Sequence, residues 1–188
     1  MDFNVKTNKI INFFSTLEKN QFVTQSNIAK SILISIGMAN SLMKKAIKKG
    51  YIKVQAVPYR RYSYYLTKKG FNEKSRLVKS FLNDSLEFFS KAKKDYIKIL
   101  LPLKKKKIVV VGSGELMDIT KLASIEAEVS ITRFLNSNDI HLFEQIKSKD
   151  VVVMAESKIP QNIYNKLIKF VDDKRLFFPK FLFITRKK

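Results

Sequence analysis

Thr24-Gln25-Ser26-Asn27-Ile28-Ala29-Lys30-Ser31-Ile32-Leu33-Ile34-Ser35-Ile36-Gly37-Met38-Ala39-Asn40 is the stretch that decides how the first half of the chain folds. Thr24 is a favourable N-cap, and Ile28, Ala29 and Ile32 fall on one face of the short helix it would open. Ser35 caps a second helix over residues 36–49 that Gly50 terminates. In that helix Ala39, Leu42, Met43, Ala46 and Ile47 recur at three- and four-residue spacing and are expected in the core. The opposite face carries Gly37, Asn40, Ser41, Lys44, Lys45 and Lys48. Upstream, Ile10, Ile11, Phe13, Phe14 and Leu17 predict a helix over residues 8–18 with one buried face.

Downstream, residues 51–55 alternate apolar and polar positions as a strand does. The connector Ala56-Val57-Pro58-Tyr59-Arg60-Arg61 leads to a second strand at residues 62–66. This is a hairpin whose tip holds two of the six arginines in the chain. A helix, two short helices joined by a tight turn, and then a basic-tipped hairpin follow the order of a winged helix-turn-helix. Such a fold lays its second short helix in a DNA major groove. Arg60 and Arg61 are then placed to reach phosphates or the adjacent minor groove.

The charge agrees with this division. The 188 residues carry 37 Lys and Arg against 16 Asp and Glu, a formal net charge of +21. Within residues 1–82 there are 13 Lys and 3 Arg but only Asp2, Glu18 and Glu73, whereas residues 108–184 balance. A general lysine bias would raise Lys throughout and would not strip acids from the first half alone. A polyanion facing the first half explains both.

The same segments resemble the MarR-type winged-helix regulators. The likeness lies in residues 24–30 and 35–40, and in Lys48-Lys49-Gly50-Tyr51-Ile52-Lys53-Val54. It continues through Tyr64-Tyr65-Leu66-Thr67-Lys68-Lys69-Gly70-Phe71 and Glu73-Lys74-Ser75-Arg76-Leu77, and spans about residues 8–82. Residues 64–77 are most similar to the subgroup associated with exopolysaccharide gene clusters. The resemblance implies that Thr24, Gln25 and Ser26 contact phosphate, that Met38, Asn40, Ser41, Lys44 and Lys45 face the groove, and that the capping Ser35 belongs to the same DNA-binding surface. Asn40 is then the candidate for pairing bidentately with adenine. In this sequence Leu33 stands where such turns usually carry Gly, so a left-handed backbone there would be strained.

Residues 68–100 contain no Pro, and Val78, Leu82, Phe89, Ala92, Tyr96 and Ile99 keep a three-four spacing once Ser85 fills the step between Leu82 and Phe89. A helix of about 30 residues, about 45 Å long, leaves an apolar stripe that a second copy of the chain would cover, giving a homodimer. The alternative is that the stripe packs on the second half of the chain.

In that second half, Ile108-Val109-Val110-Val111 and Val151-Val152-Val153-Met154 are short apolar runs suited to strands buried on both faces. Between them a helix carries Leu116, Ile119, Leu122 and Ala123 inward, followed by a strand over residues 129–135 and a short helix over residues 140–147. Pro160 opens another helix, and residues 176–184 read as one or two strands broken at Pro179. The alternation predicts a small parallel-sheet, Rossmann-like α/β domain. The expected organisation is therefore mixed α/β. A winged helix-turn-helix fills 1–82, a connecting helix 83–103 and the Rossmann-like domain 104–188.

Gly112-Ser113-Gly114-Glu115 follows the first of those strands, at the phosphate-cradling position of such folds. Met117 replaces the third small residue of the dinucleotide fingerprint, and no acid closes the second strand. Two readings stay open: a nucleotide or nucleotide-sugar effector held by Gly112, Ser113, Gly114 and Glu115, or a degenerate fold that contacts other proteins. The chain has no Cys and one His, His141, which excludes thiolate chemistry and His-based metal clusters. With no triad and no fixed carboxylate pair legible, no enzymatic activity, metal or resident cofactor is expected. The start is unlike a signal peptide and no apolar run suits a membrane span, so a soluble cytoplasmic protein is expected. The resulting expectation is a sequence-specific regulator on double-stranded DNA, with surface-polysaccharide genes as the implied targets. The alternative is a DNA-binding adaptor.

Overall fold

The computed structural model describes residues 2–58 and 61–186, with the side chains of residues 2–6 and 61 excepted. Its contacts divide the chain into two units, Met1–Leu86 and Glu87–Lys188.

The first unit runs α1 (Asp2–Lys19), α2 (Gln25–Ser31), α3 (Ile36–Lys48), β1 (Ile52–Val57) and β2 (Arg61–Leu66), and ends in the first part of α4 (Lys68–Leu100). Both expected caps form. The Thr24 hydroxyl accepts from the Asn27 N–H and the Ser35 hydroxyl from the Met38 N–H, each at 3.2 Å. Helix α2 stops in a hydrogen-bonded reversal, where Leu33 N–H donates to the Lys30 carbonyl and Ile34 N–H to that of Ala29. This paired bonding belongs to the Schellman C-cap, which needs a left-handed residue at its centre. Leu33 supplies it at φ 54°, so the turn keeps the backbone a glycine would favour while carrying a leucine. Its side chain is 85% exposed.

Phe13, Phe14, Leu17, Ile28, Ala29, Ile32, Ala39, Met43, Ala46 and Ile52 form the core. Ile47, expected among them, is 39% exposed, and Leu42 is half-buried. Strands β1 and β2 pair antiparallel, from Ile52 opposite Leu66 to Val57 opposite Arg61. The α1–α2 connection is fastened to the hairpin where Tyr64 N–H donates to the Gln21 carbonyl at 2.8 Å. Thr67 opens α4 by accepting from the Gly70 N–H.

The second unit contains the rest of α4, then β3 (Lys107–Gly112), α5 (Glu115–Glu126), β4 (Arg133–Asn136), β5 (Asp150–Ala155), α6 (Pro160–Leu167) and β6 (Leu176–Phe177). All pairings are parallel, in the order β4-β3-β5-β6. Strands β3 and β5 are central and buried on both faces, as their uninterrupted apolar runs predict. One side of the sheet packs Ile108, Val110, Val151 and Val153 against α5 and the end of α4. Tyr96 is sealed there and donates from Oη to the Met154 carbonyl at 2.9 Å. The other side packs Val109, Val111, Val152 and Met154 against Phe143 and α6.

Three expectations differ in this unit. Strand β4 has only four residues, because residues 129–132 lead up to the sheet as coil. Leu122 of α5 is 47% exposed instead of inward. After β6 the chain does not continue as a strand: Pro179 lacks an N–H to donate, and Lys180–Leu182 form a 3₁₀ turn closed by Phe183 at φ 51°.

Candidate nucleic-acid interface

Helix α3 buries Ala39, Met43 and Ala46. The 100° step per residue therefore turns Gly37, Ser41, Lys44 and Lys48 outward, with Ile36 and Asn40 along one flank and Met38 and Lys45 along the other. All of these are exposed except Asn40, which is half-buried. No described carboxylate pairs with Lys44, Lys45 or Lys48. Glu18 is taken by Lys74, and Glu73 by the guanidinium of Arg76 at 2.8 and 2.9 Å. The Arg76 hydrogen bond holds the Glu73 carboxyl below its ordinary range. The cationic face of α3 is thus uncompensated, which favours a polyanion in front of it.

Thr24, Gln25 and Ser26 stand at the start of α2, beside the beginning of α3. The Gln25 amide reaches Asn40, its Nε2 donating to Oδ1 at 3.4 Å. Next to this contact a groove of about 690 Å³ opens, lined by Thr24, Gln25, Ile36 and the rings of Phe22, Tyr62 and Tyr64. The structure therefore brings Thr24, Gln25, Ser26, Ser35, Asn40, Ser41 and Lys44 to one side of the unit, with Met38 and Lys45 on its far border. Arg60 and the Arg61 side chain lie outside the described residues. Two features here were not singled out from sequence: the Gln25–Asn40 bond and the exposure of Ile36. Ile36 directly follows the cap and precedes the buried series, which was the available signal for it.

The second candidate site, Gly112-Ser113-Gly114-Glu115, lies at the carboxyl end of β3. There the connections of β3 and β5 diverge to opposite sides of the sheet. This is where open parallel sheets receive ligands. Here the place is filled from within. Glu156, 2% exposed, accepts from the Ser113 hydroxyl at 2.7 Å and the Ser137 hydroxyl at 2.5 Å through Oε2. Its Oε1 accepts from the Lys158 N–H at 2.8 Å. Burial works to raise the Glu156 pKa. Hydrogen bonds from Ser137, Ser113 and the Lys158 and Ile159 backbone outweigh it and hold the carboxyl below its ordinary value.

Both glycines have local reasons to be there. A Cβ on Gly112 would sit 2.0 Å from the Ala155 carbonyl oxygen, and Gly114 opens α5 at φ 64°, ψ −149°. That conformation is essentially restricted to glycine. Arg133 is also engaged within the unit, donating to the Gln145 carbonyl at 2.7 Å. Among the described residues no group of His, Cys, Asp and Glu could hold a metal ion.

The fold and site define a winged-helix-like unit with an exposed basic helix, in a chain that also carries a small parallel α/β unit. No family model and no curated protein matches the chain. Among solved structures it is similar to MepR, a transcription regulator of the Staphylococcus aureus multidrug efflux pump MepA. That likeness is 18% identical over 47% of this chain and 64% of that one, with a TM-score of 0.39. It is also similar to human N-acetylserotonin methyltransferase in complex with SAM, 9% identical over 94% of this chain and 63% of that one, with a TM-score of 0.26. The chain thus spans under two thirds of the length of either structure. No described helix is long and apolar enough to cross a membrane.

Proposed function

We propose that this chain is a sequence-specific transcription regulator that binds double-stranded DNA, with α3 in the major groove and the hairpin against the flanking backbone. The observation that carries this reading is the α3 surface. Lys44, Lys45 and Lys48 surround Ser41 on an N-capped helix, with Asn40 on the flank beside Lys44 and no described carboxylate neutralising the three lysines. Phosphate contacts from lysines of this kind supply affinity, and polar side chains early in the helix supply specificity. The role is proposed to be non-catalytic and the setting cytoplasmic. The resemblance of residues 64–77 nominates surface-polysaccharide genes as targets.

The chain is further proposed to act as a homodimer. Ala92 and Tyr96 of the expected stripe pack on the second half of the chain, as the alternative reading had it, whereas in the first unit Phe71, Val78, Leu82 and Leu86 are exposed along α4, an apolar line that a second copy would cover. For the second unit the Glu156 cluster favours the adaptor reading over ligand sensing, since a carboxylate of the chain already sits where an effector's anionic group would be received. A panel of nucleotides and nucleotide-sugars is then expected to leave its melting temperature unchanged.

The deciding experiment is titration of a labelled duplex at several salt concentrations. The logarithm of affinity should fall linearly with the logarithm of salt. Replacing Lys44, Lys45 and Lys48 by Ala should flatten the slope by about two to three units. Absence of a salt-sensitive complex overturns the proposal.

A further inference from the structure

Phe22 and Tyr62 are large aromatic side chains left in the open, 58% and 59% exposed, and both line the groove beside the start of α2. Tyr64, half-buried, stands two residues from Tyr62 on β2 and so shares its face of the hairpin. Among the described residues none of these three rings packs against another ring or under a cation. The cross-strand neighbours of the two tyrosines, Ala56 and Val54, are too small to cover them. Both walls of the groove are held by backbone bonds. The Phe22 N–H donates to Asn20 Oδ1 at 2.9 Å, and the bond from the Tyr64 N–H to the Gln21 carbonyl ties this connection to the hairpin. The rings therefore sit on a fixed frame around a space of about 690 Å³ that no carboxylate lines.

A ring held open in this way offers a face for stacking. Beside a lysine-rich surface, the chemistry that matches it is a nucleobase on a phosphate chain. In a duplex the neighbouring pairs cover the faces of each base, and only its edges are readable in the grooves. An unpaired strand presents the faces themselves, and stacking on them tolerates any sequence. The phosphates of the same strand would meet the uncompensated cations of α3, where Lys44 follows the groove-lining Ile36 by about two turns. A hydrophobic peptide would use the rings but not the charge.

We infer that this groove is a site for single-stranded DNA, with Phe22 and Tyr62 stacking on unpaired bases and the α3 lysines taking the phosphates. The site goes beyond duplex recognition by α3 and suits the chain to DNA that is locally melted.

The test compares two labelled strands on the full chain at one salt concentration: an oligothymidylate of about twelve nucleotides, and an abasic strand of equal length that keeps every phosphate and lacks every base. The thymine strand should bind at least about fivefold more tightly, the effect of stacking one base. Phe22→Leu and Tyr62→Leu keep apolar bulk and remove the ring, and circular dichroism checks their folds. Each should weaken the thymine strand by about fivefold or more while abasic-strand and duplex affinities are preserved. Lys44→Ala should weaken the thymine and abasic strands alike. Four results overturn the inference. These are equal affinity of the wild-type chain for the two strands, thymine-strand binding that survives both ring substitutions, an equal loss of duplex binding in the ring variants, or no effect of Lys44→Ala on either strand. The outcome is separable from the duplex reading above. A thymine strand held through the rings, with no salt-sensitive duplex complex, supports this site and overturns that reading. Salt-sensitive duplex binding without any preference for the thymine strand does the reverse.

Discussion

Leu33→Gly is expected to stabilise the first unit, although it deletes a large apolar side chain. Leu33 holds φ 54°, a left-handed backbone that costs a non-glycine residue about 1–2 kcal/mol. With 85% of the residue exposed, little burial is lost on truncation, about 0.3 kcal/mol of the roughly 2 kcal/mol a fully buried leucine contributes. Glycine returns about 0.4–1 kcal/mol through the greater entropy of the unfolded chain. The balance is a gain of about 0.5 kcal/mol. The sharper quantity is the gap between Leu33→Gly and Leu33→Ala, because alanine loses the same side chain and keeps the backbone strain. That gap should be about 1 kcal/mol, an approximately fivefold difference in protection. Hydrogen exchange at the slowest amides of α3, such as those of Met43 and Ala46, reads it in the intact chain without assuming that the two units unfold together. Equal protection in the two variants, or greater protection in Leu33→Ala, refutes the strained-turn account.

Gly112→Ala should destabilise the second unit by about 3 kcal/mol or more, since the new Cβ meets the Ala155 carbonyl oxygen and that neighbour is backbone; near-native urea unfolding would contradict the close approach of β3 and β5. Glu156→Gln should lose about 2 kcal/mol at neutral pH by breaking up three hydrogen bonds to a buried carboxylate. Because the folded-state pKa of Glu156 is lowered, the wild-type advantage is complete above the unfolded value of about 4.3 and fades as pH falls through the folded value. A gap that widens on acidification in chemical denaturation would count against this. Leu82→Glu combined with Leu86→Glu should shift the chain from dimer to monomer in sedimentation at micromolar concentration, and a wild-type monomer there would remove the proposed dimer.

The helical part of the first unit is legible because its signals are local. Thr24 and Ser35 each bond an amide three residues on, and the buried series of α3 is set by helical period alone. Ile47 escapes that logic: it lies one residue past the buried Ala46, at the margin of the apolar arc, so small differences in packing decide its exposure. The buried runs of β3 and β5 also announce themselves, whereas residues 176–184 show apolar content without a clear period. There the missing N–H of Pro179 and the left-handed Phe183 overrule composition. Least visible are contacts joining distant positions. Gln25 and Asn40 are fifteen residues apart, and Glu156 meets serines 43 and 19 residues away. No spacing rule connects such residues until the backbone has folded.

Loops at the carboxyl ends of parallel strands ordinarily vary independently, which lets one scaffold acquire many ligands. Here residues 113, 137 and 156 share a single carboxylate, so a change at one leaves the other two with a grievance only a joint replacement resolves. A ligand arriving at this end of the sheet would therefore have to compete with Glu156 for both hydroxyls instead of entering an open cradle.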